Sequence, residues 1–262
     1  MTIRIDTEAL FLQWELFLLI LVRITSFVYT APFFSTSSVP QRAKLGLSVF
    51  LAYLIFLAFP DQSYVYESVI DFALLIVKES VVGLIIGFCA GLCMQCVHFA
   101  GHIIDVNMGL SMATMYDPAT RMQVNLSGQL YYYAVLLLML FSGLHSFLIQ
   151  AIVDTYTVLP VGSAVINPGL YSSVIAFIVD YFIIGFRIAL PVFITIMLLN
   201  CILGIMAKIA PQMNMFAVGM QLKITVGLAV MYFTVSMLPA VANQLAKMMK
   251  DVIVRIVEGL YA

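Results

Sequence analysis

An all-α membrane protein is the fold class this sequence predicts, and three observations carry the prediction. Of 262 residues, 63% are apolar and only 10% charged, whereas soluble domains sit near ~45–50% and ~25%; mean hydropathy is +1.09. The apolar residues gather into six blocks, at about 9–30, 45–59, 65–104, 130–153, 171–206 and 214–242. These are on the scale of the ~20 residues that take a helix across a bilayer. Charge is balanced, with 12 Lys+Arg against 13 Asp+Glu, so there is no basic field for nucleic acid. A chain this apolar also has too much to bury to remain disordered.

The first block follows Asp6 and Glu8, and its run Leu16–Val22 is closed by Arg23 with no small-residue cleavage site behind it. A signal peptide needs a basic start, an unbroken apolar run and such a site, so a retained helix is expected. The second block, 45–59, is short for a span, and the third, 65–104, would reach about 60 Å as one helix with Lys78 and Glu79 inside it. The fifth contains Asp180, Arg187, Pro191 and Asn200. Blocks so uneven suit helical hairpins packed on one another better than six plain spans. Pro32, Pro40, Pro118, Pro160 and Pro168 mark the polar stretches 31–44, 105–129 and 154–170 as loops.

Arg42, Lys44, Arg121 and Lys208 fall on one side of a six-span topology, and loops 60–68 and 154–170 carry no Lys or Arg. That bias places 31–44, 105–129 and 207–213 in the cytoplasm, but it leaves Lys247, Lys250 and Arg255 on the far side. The tail itself repeats Leu245, Met248, Met249, Val252, Ile253, Ile256, Val257 and Leu260 at helical spacing. An amphipathic helix is expected there, lying on lipid or docked on a neighbouring subunit.

Gly83, Gly87, Gly91, Gln95, His98, His102 and Asp105 fall on one side of a helix at ~100° per residue. The glycine half is a small-xxx-small face that lets another helix approach closely. His98, His102 and Asp105 share a face as metal ligands would, but His145 is the only other histidine, so a metal site is not expected. Cys89, Cys93 and Cys96 lie opposite the histidines and read as small buried hydrophobes. The ions inside apolar blocks, Arg23, Lys78, Glu79, Asp180, Arg187 and Lys223, together with Asp105 after the third block, must be paired, face a wet cavity or form a relay. Asn107, Met108, Gly109, Ser111, Met112, Met115, Asp117, Pro118 and Arg121 mix polar, small and thioether side chains between two long apolar blocks, as a plug or gate needs. No G-x-S-x-G, Walker A, H-E-x-x-H or dinucleotide fingerprint occurs, so neither an enzyme nor a cofactor is expected.

Taken in order, these motifs resemble the FliR family of flagellar export-gate proteins, whose virulence-secretion relatives are called SctT. The resemblance runs through Arg23, Thr30-Ala31-Pro32, Pro40-Gln41-Arg42-Ala43-Lys44-Leu45-Gly46-Leu47 and Gly101 to Asp105. It continues with Met108-Gly109-Leu110-Ser111, Asp117-Pro118, Leu159-Pro160-Val161-Gly162-Ser163, Asn200, Gly204 and Ala210-Pro211-Gln212-Met213-Asn214-Met215-Phe216. His98 and His102 are not part of it. The resemblance implies one FliR-like domain over 1–262, FliP-like toward its N-terminus and FliQ-like toward its C-terminus, without a fused FlhB-like domain. It implies a helical pore complex with FliP and FliQ homologues, served by FlhA and FlhB homologues. That complex would pass unfolded flagellar substrates through the bacterial cytoplasmic membrane at the basal body, with membrane lipid around it. It also implies that 107–121 is the loop closing the pore. The reading kept beside it is a proton-coupled secondary transporter of a small solute, although the internal symmetry typical of transporters is absent.

Overall fold

Among the described residues, every regular element of the computed structural model is a helix. The structure describes residues 7–36, 39–60, 62, 66–111, 125–165, 167–212 and 214–261. In order the helices are α1 (Thr7–Thr30), α2 (Gln41–Ala58), α3 (Val69–Met108), α4 (Leu126–Phe141), α5 (Leu144–Val158), α6 (Gly169–Ile209), α7 (Met215–Thr234) and α8 (Leu238–Leu260). A 3-10 turn, Val235–Met237, joins the last two. Among the described residues, four stretches are long and apolar enough to cross a membrane: Gln13–Thr30, Gln41–Ala58, Gly169–Ile209 and Phe216–Leu260. A fifth exists if α4 and α5 count as one broken span.

Local chemistry sets the helix ends. Ser68 and Asp71 form a reciprocal cap at the start of α3. The Asp71 N–H donates to Ser68 Oγ at 3.3 Å, and the Ser68 N–H to the Asp71 carboxylate at 3.0 Å. Asn214 caps α7 by accepting from the Ala217 N–H at 3.4 Å. Pro211 follows α6 and cannot continue it. The fourth apolar block is broken into two helices at Gly143, whose φ of 74° lies in the left-handed region.

The chain divides into two compact units. One comprises Met1–Leu92, Gly143–Phe177 and Met248–Ala262. Its core takes Leu19, Ile20, Ile24, Phe27 and Val28 from α1, at the three-and-four spacing of a buried helical face. Helix α2 adds Leu51, Ala52 and Ile55, and α5 adds Leu148, Ile152 and Tyr156. The tail stripe from Met248 to Leu260 is buried here, within the chain itself, rather than on lipid or another subunit. Gly259 and Leu260 accept backbone bonds from Asn167 and Val165, both at 3.1 Å, and the Lys250 ammonium sits 4.7 Å from the Phe147 ring centroid.

The second unit comprises Cys93–Ser142 and Ile178–Lys247. Helices α3 and α4 touch backbone to backbone there. A Cβ built on Gly101 would lie 2.0 Å from Gly128 Cα. Phe99 packs edge-on against Phe182 and Phe186, and Tyr131 shares a 2.7 Å hydrogen bond with Thr234 of α7.

Candidate functional site

In the first unit, a buried ionic node ties three helices to one loop. Arg23 of α1 and Glu79 of α3 are both fully buried. The arginine fork donates to both carboxylate oxygens, Nε to Oε2 at 2.5 Å and Nη2 to Oε1 at 3.0 Å. Nη1 donates to the Leu159 carbonyl at 3.1 Å and to Thr155 Oγ1 at 3.4 Å. The guanidinium carbon lies 4.2 Å from the centroid of the Tyr156 ring, a cation–π contact strengthened by desolvation. Two charges removed from water are tolerable only when nearly every donor and acceptor is matched, and here that holds.

The loop residues have individual reasons to be what they are. Gly162 donates its N–H to Glu79 Oε1 at 2.8 Å, and its φ is 82°. With Ser163 N–H bonded to the Pro160 carbonyl at 3.1 Å, the segment is a tight turn that asks for glycine at its third position. A Cβ at Gly162 would also come within 2.8 Å of Leu75. Val161 donates to Gln62 Oε1 at 2.9 Å, while Gln62 Nε2 donates to the Tyr156 carbonyl at 3.3 Å. Sequence reasoning singled out Arg23, Glu79 and the Leu-Pro-Val-Gly-Ser segment. It missed Gln62, Thr155 and Tyr156, for which no local pattern exists.

The glycine face of α3 lies against α1 of the same chain. A Cβ on Gly83 would sit 2.1 Å from the Arg23 carbonyl oxygen, and one on Gly87 2.8 Å from that of Phe27. One on Gly91 would sit 3.0 Å from that of Thr30. This close approach places the Arg23 backbone where its side chain meets Glu79 one turn earlier on α3. Three of the ions picked out as candidates for burial are exposed on this chain: Lys78, Asp180 and Arg187. Lys78 neighbours the inward Glu79, and the ~100° step between adjacent helical residues turns it outward.

In the second unit, Asp105 is buried and accepts the Ser127 N–H at 3.3 Å. His98 stacks on Tyr132 at 4.4 Å, and His102 Nδ1 is 3.1 Å from Asn125 Oδ1. The two histidines and Asp105 therefore go to separate partners, and no metal-holding group of His, Cys, Asp or Glu occurs among the described residues. Of the plug residues, Met112, Met115, Asp117, Pro118 and Arg121 lie outside the described residues. Met108 ends α3 fully buried, its thioether 2.7 Å from where a Gly227 Cβ would be. Gly109 turns the chain with a φ of 82°, Asn107 Nδ2 donates to the Ile103 carbonyl at 2.7 Å, and Ser111 follows. Asn107 and Gly109 line a cavity of about 420 Å³ with Asn200, Gly204, Phe216 and Lys223. Motif residues a hundred positions apart thus share one polar-edged recess.

Residues 14–249 match the sequence model of the family described as bacterial export proteins, family 1. The chain belongs to that family. It is 34% identical over 227 residues to the flagellar biosynthetic protein FliR of Escherichia coli (strain K12), covering 86% of each chain. Against the FliR of Bacillus subtilis (strain 168) it is 35% identical over 225 residues, covering 85% of this chain and 86% of the relative. The surface presentation of antigens protein SpaR of Shigella flexneri is 29% identical over 149 residues, 57% of each chain. The family match includes every residue of the ionic node and of the recess beside Met108, so both belong to the part of the chain that defines it as a bacterial export protein.

Proposed function

We propose that this chain is a core, non-enzymatic subunit of the flagellar type III export gate, forming part of the channel through which unfolded flagellar proteins leave the cell. The observation that carries the reading is similarity along most of the chain to proteins named for flagellar biosynthesis. The apolar surface left open fits a subunit made to be covered: Phe182, Phe186, Leu190, Ile194, Leu198 and Ile202 are all exposed along α6. FliP and FliQ homologues in the cytoplasmic membrane are the proposed neighbours, with FlhA and FlhB homologues alongside at the basal body. The transporter alternative has no support from the relatives.

The test is co-expression with the FliP and FliQ homologues, gentle detergent extraction and native mass spectrometry. One copy of this chain in a mixed complex is the expected result. A monomer or homodimer that ignores both partners would overturn the reading.

The stretch 107–121 is proposed as the closed-state plug. Met108 is packed into its own unit, so the informative change replaces only 112–121 by a short Gly-Ser linker. Ion conductance of the assembled complex in planar bilayers is then expected to rise, and an unchanged conductance would remove the plug assignment.

A further inference from the structure

We propose that the recess beside Met108, in the second unit, is the docking site for an acidic residue on an apolar segment of a neighbouring chain, its carboxylate paired with Lys223. The recess holds about 420 Å³, and three elements line it: Asn107 and Gly109 at the end of α3, Asn200 and Gly204 on α6, and Phe216 and Lys223 on α7. Residues two apart on a helix are ~200° apart, so Asn200 and Gly204 face away from Leu198 and Ile202 of the exposed apolar row. Lys223 is half-buried, and among the described residues no carboxylate pairs with it. While the recess is open, water solvates the ammonium. Its rim, however, is oily: Phe216 in the wall, Ile205 next to Gly204 and Leu222 next to Lys223 are all exposed. A neighbour that covers this rim also drives out the water, and a buried ammonium is then tolerated only with an anion beside it.

The lining selects the occupant. One ammonium, a point charge with no second cation beside it, balances a single carboxylate. Asn107 gives its Nδ2 hydrogen to the Ile103 carbonyl at 2.7 Å, which leaves Oδ1 for an N–H from outside, and the Asn200 amide carries both a donor and an acceptor. Together they complement the peptide groups of an extended main chain. Two glycines keep the wall bare, since a Cβ built on Gly109 or Gly204 would meet nothing within 4 Å. Gly109 has its turn to explain it, but Gly204 sits inside α6, where glycine weakens a helix. At Gly83, Gly87 and Gly101 the chain's own backbone takes up the space; the space over Gly204 is left for the backbone of another chain. Once the rim is covered, neutralisation of Lys223 has to be permanent, which a resident neighbour supplies and an exported chain in transit does not. The inference rests on the export-gate reading for the complex in which that neighbour is found.

The experiment uses the full chain co-expressed with the FliP and FliQ homologues, with the mixed complex quantified by native mass spectrometry. Lys223→Gln is expected to lower the recovered complex roughly tenfold, the loss of one charge-assisted pair, and Lys223→Arg to retain most of it. Lys223→Glu should abolish assembly, and one Asp→Lys or Glu→Lys change in a partner chain should restore it. Equal melting temperatures of the lone variants and the parent would separate docking from folding. Carbodiimide cross-linking of the unaltered complex needs no variant, and should join the Lys223 amine to the partner carboxylate that the restoring change identifies. Parent-level assembly of Lys223→Gln would overturn the proposal, as would the lack of any restoring position in either partner. A Lys223 cross-link found only within its own chain, or only to an exported protein, would overturn it too. If the unaltered chain enters no mixed complex, the export-gate reading falls and this docking site with it, whereas an intact complex indifferent to Lys223 removes the docking site alone.

Discussion

Replacing Arg23 by methionine is expected to remove about 3–5 kcal/mol of stability, the usual result of leaving one member of a buried ion pair without the other. Glu79 would retain only the Gly162 N–H as a donor, and Leu159 and Thr155 would lose the cation that draws them to α1. The turn at 160–163 should loosen with α1, because the same carboxylate fixes both. Arg23→Lys keeps the charge but not the fork, and should lose roughly half as much. The double change Arg23→Met with Glu79→Leu should recover most of the loss, since two apolar side chains of similar volume often match or exceed a buried pair. Denaturant melts of the purified chain in detergent give the ranking. A double variant as unstable as Arg23→Met alone would show that the node is held by something other than mutual neutralisation.

The second large effect is expected at a position with no charge at all. Gly101→Ala would put a methyl group 2.0 Å from Gly128 Cα and 2.2 Å from Gly128 N. Those are main-chain atoms of α4, which cannot rotate aside as a side chain would, so the helices must separate and lose packing along their length. A loss at or above the ~1–3 kcal/mol typical of overpacking is expected. Gly128→Ala is the built-in control. Its Cβ would meet nothing nearer than 3.3 Å, at Asn125 Cβ and the His98 carbonyl oxygen. There the gain of up to ~1 kcal/mol in helix propensity should offset most of the crowding. Two glycines in mutual contact are thus expected to differ sharply, and equal melting temperatures for the two variants would contradict the geometry.

What the sequence made legible follows the range over which each interaction acts. The stripe of α8 and the glycine face of α3 repeat every three or four residues, so they could be read directly. Arg23 and Glu79 were recognisable as ions in apolar surroundings, but 56 positions separate them. Two of the groups they hold, the Leu159 carbonyl and Gly162 N–H, are main-chain atoms that no residue pattern encodes. Gln62 is an ordinary polar residue in a polar stretch, and only the turn it meets makes it special. The tail stripe was clear and its cover was not, because Val165 and Asn167, bonded to the last turn of α8, lie in a loop with no apolar period. The break at Gly143 carried a usable sign, a lone glycine after serine inside an apolar run, that the length of the block concealed.

The interleaving of the two units bears on how such a chain is made. The first unit draws its N-terminal helices together with residues 248–262, and the second draws on segments as late as Lys247. Neither can therefore finish while the ribosome is still midway through the message, as successive domains of a linear array do. The first unit must wait for a stripe synthesised more than two hundred residues after α1, with the apolar surface that stripe covers held meanwhile by lipid or a chaperone. The slow step in biogenesis is thus set by the return of α8, and a polypeptide interrupted just before Met248 would be expected to be cleared as unfinished in its first unit.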